Sequence, residues 1–95
     1  MREAYLVRRV IAALNLVEGC YAMKVHQTRY SRSGEPDIVG SFMGQSFAIE
    51  VKRPGGRPTD LQLYRLNQWA KAGARAGVAT SVADAKEIAC GVDPA

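Results

Sequence analysis

Phe47-Ala48-Ile49-Glu50-Val51-Lys52 is the stretch on which the fold turns. A strand sends successive side chains to opposite sides, so Phe47, Ile49 and Val51 share one face and Ala48, Glu50 and Lys52 the other. Immediately upstream, residues 37–43 read as a second strand, and Gly44-Gln45 as a two-residue hairpin turn, because glycine accepts the positive φ such turns need. The hairpin returns the chain, so the start of the 37–43 strand lies beside the end of the 47–52 strand.

Upstream of the hairpin, residues 20–26 read as a first strand, followed by a polar, basic loop over 27–35 that Pro36 closes. Before it, residues 3–16 carry a helical stripe of Val7, Val10, Ile11 and Leu14, and Gly19 supplies a stop. After the hairpin, residues 54–58 (Pro-Gly-Gly-Arg-Pro) are a loop. Thr59 with Gln62 forms the pattern of a capping box, and the helix behind it runs to about residue 72, with Leu63, Leu66, Trp69 and Ala70 as its stripe. A strand over 77–82 and a helix over 83–89 complete the order αβββαβα. The pattern predicts an α/β fold, a mixed sheet flanked by helices, in one domain spanning residues 1–95.

Composition bounds the function. Of 95 residues, 47% are apolar and 23% charged, ordinary globular proportions. No run approaches the roughly 18 apolar residues a membrane span needs. Residues 1–3 lead into an amphipathic segment rather than a secretory signal, so the expectation is a cytoplasmic protein with no membrane partner. Cys20 and Cys90 have no metal-site spacing and read as small core residues. The net charge of +4 favours a polyanionic partner. So short a chain buries a modest core and offers little surface, which makes association with a second copy worth expecting.

The chemistry is carried by a few polar residues. Glu50 and Lys52 project from one strand face, which by itself is also what a solvated sheet face looks like. Proline sets the entry to the second strand and leaves Asp37 at its first position, where it is either a turn-forming aspartate or a neighbour of Glu50 and Lys52. Two carboxylates and a lysine at a strand end offer oxygen ligands for a hard cation plus one positive charge. Glu3 and Gln62 fall on the core-facing sides of their helices, in first turns. Each either lines a site or serves its own helix end, Glu3 by facing the helix dipole and Gln62 by completing the capping box. Glu18 is a weaker substitute for Glu3. Arg29 and Arg32 precede the motif, and Arg53 and Arg57 follow it, as candidate phosphate contacts or plain solvated side chains.

Gly34-x-Pro36-Asp37, Glu50-x-Lys52 and Thr59-x-x-Gln62, with a helix, a glycine and a strand after them, resemble the virus-type replication–repair nuclease (VRR-NUC) domain of the PD-(D/E)xK superfamily. The resemblance runs from Glu3 to about Ile88 and implies the restriction-endonuclease-like αβββαβ core. It implies that Asp37, Glu50 and the Val51 carbonyl bind Mg²⁺ or Mn²⁺, that Glu3 is a further acidic ligand, and that Lys52 is the catalytic lysine. Gln62 joins Asp37, Glu50 and Lys52 as a candidate catalytic residue. The implied reaction is hydrolysis of DNA phosphodiesters leaving a 5′-phosphate. Stand-alone members resemble Holliday junction resolvases, so the expected partners are branched or four-way DNA and a second copy, with Leu61 and Tyr64 as candidate interface residues. The rival readings are a catalytically silent DNA-binding module of the same fold, and a structural α/β module whose Glu50 and Lys52 form a surface pair.

Overall fold

The computed structural model describes residues 2–91. Helix α1 (Glu3–Asn15) buries Leu6, Val7, Val10 and Leu14, the spacing that gathers apolar groups on one helical stripe. Strands β1 (Cys20–Lys24), β2 (Ile38–Phe42) and β3 (Gln45–Val51) follow as an antiparallel meander. Helix α2 (Asp60–Lys71) crosses over to β4 (Arg75–Ala79), which pairs parallel with β3, and helix α3 (Val82–Cys90) ends the described fold. The sheet order is β1-β2-β3-β4, so the mixed sheet flanked by helices is as the sequence pattern implies. Among the described residues no helix is long and apolar enough to cross a membrane.

The principal core lies between the sheet and helices α1 and α3, where Leu14, Val10, Ala85 and Ala89 meet Ile38, Phe47, Ile49 and Val51. Helix α2 packs over β3 and β4 on the opposite face and buries Leu66. Gln45 and Ser46 are exposed next to the turn, but Phe47 to Val51 are all buried, so that part of β3 has no solvated face. The alternation of Ala48, Glu50 and Lys52 therefore does not mark a surface, and the surface ion-pair reading of Glu50 with Lys52 falls.

Several boundaries move, each for a local reason. The hairpin turn is Met43-Gly44 rather than Gly44-Gln45, with φ of 50° and 86°, and Phe42 pairs with Gln45. Both turn residues take positive φ, the requirement of the tight turn that matches strand twist. Strand β1 ends at Lys24 rather than residue 26. Strand β4 begins and ends earlier than 77–82, because Thr80 and Ser81 belong to the start of α3. The Ser81 hydroxyl accepts from the Asp84 amide, while the Asp84 carboxylate accepts from the Thr80 amide and hydroxyl. Those Thr80 bonds hold the Asp84 carboxyl below its ordinary value. In α2 the expected stripe is only partly buried: Leu63 and Ala70 are exposed and Trp69 half-buried. Cys20 and Cys90 are partly buried against the core, and burial together with the neighbouring Cys90 thiol pushes the Cys20 thiol up.

Two close approaches fix the hairpin. The Asn15 side chain bonds both the N–H and the C=O of Ala22 at 2.8 and 3.0 Å, sealing the outer edge of β1 against further strands. Gly40 lies between Ala22 and Phe47, where a Cβ would collide with the Tyr21 carbonyl and stand 2.5 Å from Phe47 Cζ. Backbone cannot yield as a flexible side chain would. Gly40→Ala is therefore expected to destabilise the fold by roughly 3 kcal/mol, measured as a lower urea midpoint; an unchanged midpoint would refute this packing.

Candidate active site

The antiparallel register puts Ile38 opposite Ile49, so one step further Asp37 faces Glu50 at the end of the hairpin. Pro36 is buried and has no N–H to continue the ladder. Asp37 closes it instead. Its carbonyl accepts from the Val25 amide at 2.8 Å, and its carboxylate Oδ2 accepts from the Val51 amide at 2.8 Å. Asp37 is thus held through its backbone by Val25, just past β1, and through its side chain by β3.

Glu50 is 2% exposed, an ionisable side chain carried inside by a strand covered on both faces. Its Oε1 is buried with no hydrogen-bond partner, and its Oε2 lies 3.6 Å from Lys52 Nζ. Burial, the Asp37 charge and a hydrogen bond that Asp37 accepts from the protonated acid push the Glu50 carboxyl from 4.5 up to about 8, against the opposing pull of Lys52. Desolvation disfavours the charged form and a second carboxylate adds like-charge repulsion. Lys52 also reaches Glu3 Oε1 at 3.9 Å, so the first turn of α1 meets the end of β3. Asp37, Glu50, Lys52 and Glu3 come together from three elements, as the motif spacing and the helical wheel predict.

An orphaned, buried carboxylate oxygen beside a second carboxylate is an arrangement that a bound cation would complete. Asp37 and Glu50 are the residues placed to hold one, with the Val51 carbonyl at the same strand end. Among the described residues no three His, Cys, Asp or Glu side chains gather to enclose a metal. The donors are then few and oxygen only, which fits a hard ion that keeps several waters. Glu3 is engaged by Lys52 and does not join the two carboxylates in such a group.

The remaining candidates stand further out. Gln62 Oε1 accepts from the Thr59 amide at 2.8 Å, so its acceptor serves the capping box and only its NH₂ is left to face a ligand. Arg29, Arg32, Arg53 and Arg57 are exposed in the two loops, with the Arg29 guanidinium 5.1 Å from the centre of the Tyr30 ring. Sequence reasoning passes over the struts of the first loop. Trp69 Nε1 donates to Glu35 at 3.1 Å, and Arg65 Nε donates to the Ser33 carbonyl at 3.2 Å, tying the segment just before Pro36 to α2. No spacing in the chain signals these bonds, which span 34 and 32 residues.

The fold is that of a restriction-endonuclease-like α/β protein. No family model matches the chain, and a search of the curated proteins gives no match. Among solved structures it is similar to Hjc of Archaeoglobus fulgidus, a Holliday junction resolvase from an archaeal hyperthermophile and a member of the PD-(D/E)xK superfamily. The similarity has a TM-score of 0.63 at 26% identity, over 79% of this chain and 64% of Hjc. This chain thus matches less than two thirds of that protein's length.

The Glu50 carboxyl sets a pH signature. A raised pKa means that the folded state opposes ionisation, so the cost is absent below the ordinary value of 4.5 and grows until pH passes about 8. In metal-free buffer, Glu50→Gln should match the parent protein near pH 4 and exceed its Tm at pH 8. The expected gain is at least about 5 °C, the shift that ~1 kcal/mol produces in a domain of this size. Parallel Tm curves for the two proteins across that range would contradict the buried, uncompensated carboxylate.

Proposed function

We propose that the chain is a divalent-metal-dependent DNA endonuclease that hydrolyses phosphodiester bonds. The observation that carries this reading is the orphaned Glu50 carboxylate, 2% exposed, facing Asp37 with Lys52 at 3.6 Å. A structural role alone gives no reason to bury an acid that the fold itself leaves unsatisfied. When bound, Mg²⁺ or Mn²⁺ supplies Lewis-acid neutralisation of the charge that builds on the phosphate and makes water a better nucleophile. Asp37, Glu50 and the Val51 carbonyl hold the ion, with Glu3 close enough through Lys52 to tune the site from outside. Lys52 directs its ammonium toward the attacking water or a phosphate oxygen, fixed positive charge where negative charge grows. The Gln62 amide, in the first turn of α2, orients the same phosphate. Arg29, Arg32, Arg53 and Arg57 contact the DNA backbone on either side of the cut. The likeness to a resolvase at 26% identity supports nuclease chemistry, and the motif spacing supports the narrower VRR-NUC assignment.

Separating metal from lysine tests this reading. Mg²⁺-dependent cleavage of DNA should vanish in both Asp37→Asn and Lys52→Ala. Mn²⁺ should raise the Tm of the parent and of Lys52→Ala, by the equivalent of about 2.7 kcal/mol at one hundred times its Kd, but leave Asp37→Asn unmoved. Cleavage by Lys52→Ala at the parent rate would remove the lysine from the mechanism, and binding without any cleavage by the parent would leave a silent DNA-binding module.

The reading extends to a homodimer acting on branched DNA. Leu61 and Tyr64 are 41% and 55% exposed on the outer side of α2, apolar surface suited to a second copy. Two-fold pairing would set two active sites against opposed strands of a junction. Light scattering at micromolar concentration should give twice the chain mass, and a four-way junction should be cut faster than a duplex of equal length. A monomeric mass with equal rates would retire the dimer and leave the chemistry intact.

A further inference from the structure

Helix α1 has a second face that the proposed site does not use. Arg2, Tyr5 and Arg9 stand at i, i+3 and i+7, with Arg8 beside them, on the side turned away from buried Val7, Val10 and Leu14. All four are exposed. The guanidinium carbons of Arg8 and Arg9 lie 6.0 and 5.9 Å from the centre of the one Tyr5 ring. Two like charges are thus gathered on one aromatic platform. Among the described residues the ion pairs are those of Lys52 with Glu3 and Glu50, so no acid there neutralises these arginines. The one carboxylate in the first turn of α1, Glu3, points to Lys52 on the other side of the helix.

We infer that the outer face of α1, formed by Arg2, Tyr5, Arg8 and Arg9, is a docking surface for the phosphate backbone of double-stranded DNA, outside the two arginine-bearing loops. The inference rests on the DNA reading given above. Stacking on Tyr5 restrains both guanidiniums beforehand, so less side-chain freedom is lost when they meet a ligand, and their edge N–H groups stay free to donate. An anion bridging the pair relieves their mutual repulsion. A membrane surface fits less well, because the apolar stripe of α1 is committed to the core and none is left to enter lipid. Position points to DNA as well. The Glu3–Lys52 contact joins the first turn of α1 to the candidate active site, and Arg9 lies six residues on, roughly 9 Å along the axis. A duplex whose strand is cut at that end would have its flanking backbone within reach of this face.

The test is binding of a labelled duplex and a labelled four-way junction in EDTA, followed by anisotropy from 50 to 200 mM KCl, a range chosen because phosphate contacts dominate there. Arg8→Ala/Arg9→Ala should lower the slope of log K against log salt by about 1.8, or ~0.9 per lost phosphate contact. Arg8→Lys/Arg9→Lys should keep the parent slope, and Lys71→Ala/Lys86→Ala, exposed elsewhere, should too. With Mg²⁺ and saturating DNA, the alanine pair should cut at the parent rate while its KM rises. Parent-like slopes and KM in the alanine pair, with the parent protein binding DNA, would overturn the α1 surface and leave the nuclease reading standing. A charge-reversing pair, Arg8→Glu/Arg9→Glu, that still binds like the parent would overturn it equally. A parent protein that binds neither DNA overturns both.

Discussion

The site depends on β3 being enclosed on every side. Hydrogen bonding to β2 and β4 occupies both its edges, while α1 with α3 and α2 cover its two faces. From Phe47 to Val51 every side chain of this strand is taken out of water, whatever its chemistry. For Phe47, Ile49 and Val51 this is favourable burial; for Glu50 as a carboxylate it is a penalty that only the Lys52 ammonium offsets. The bond from the Val51 amide to Asp37 then fixes the second acid at the same place. Strand pairing, in short, converts a strand's alternation into a concentrated charge.

That charge runs against the rest of the molecule. The chain carries a net +4, yet at this spot Asp37, Glu50 and Glu3 face the single ammonium of Lys52. With every carboxyl ionised, the cluster would hold two negative charges in excess and would repel the very polyanion that the basic body attracts. The fold relieves part of this by keeping Glu50 protonated, its carboxyl raised to about 8. A divalent cation held there, as proposed, would relieve the same strain differently, by compensating the charge instead of removing it. On the proposed reading, proton and metal would compete for the oxygens of Asp37 and Glu50, while Lys52 lies 3.6 Å from Glu50 and 3.9 Å from Glu3.

Much of this was legible in the chain. The β3 pattern, the Pro36-Asp37 entry, the Thr59/Gln62 capping box and the inward position of Glu3 all rest on local periodicity, and the structure has each of them. What escaped depends on distant partners. Ala48-x-Glu50-x-Lys52 reads like a wet face because the α2 cover is weakly written: Leu66 is its one buried residue, and Leu63 points out. The turn sits one residue before the expected Gly44-Gln45, because Met43, a residue type seldom found at positive φ, shares it with Gly44 and nothing in the sequence marks this. Strand β4 lies two to three residues upstream of 77–82, because the Ser81–Asp84 cap assigns Val82 to the helix behind and Arg75 and Ala76 carry no apolar signal of a strand start. The Trp69–Glu35 bond and the neighbouring thiols of Cys20 and Cys90 join segments that no spacing rule connects.

The two helices on opposite sides of the sheet present opposite chemistry to the outside. Beyond its buried stripe α1 shows Arg2, Tyr5, Arg8 and Arg9, whereas α2 shows Leu61, Leu63 and Tyr64. Two α1 faces brought together would set at least six guanidiniums against one another, so that side disfavours a second copy and favours an anion. The α2 face has little to offer a phosphate along its apolar residues, and water gains by their cover. Strand pairing between copies along β1 is obstructed, since the Asn15 amide already occupies both the N–H and the C=O of Ala22. A nucleic acid on the α1 side and a protein on the α2 side could thus be held at once without contest. The end of β3, where Glu3 of α1 meets Lys52 and the first turn of α2 begins at Asp60, is the place both sides share.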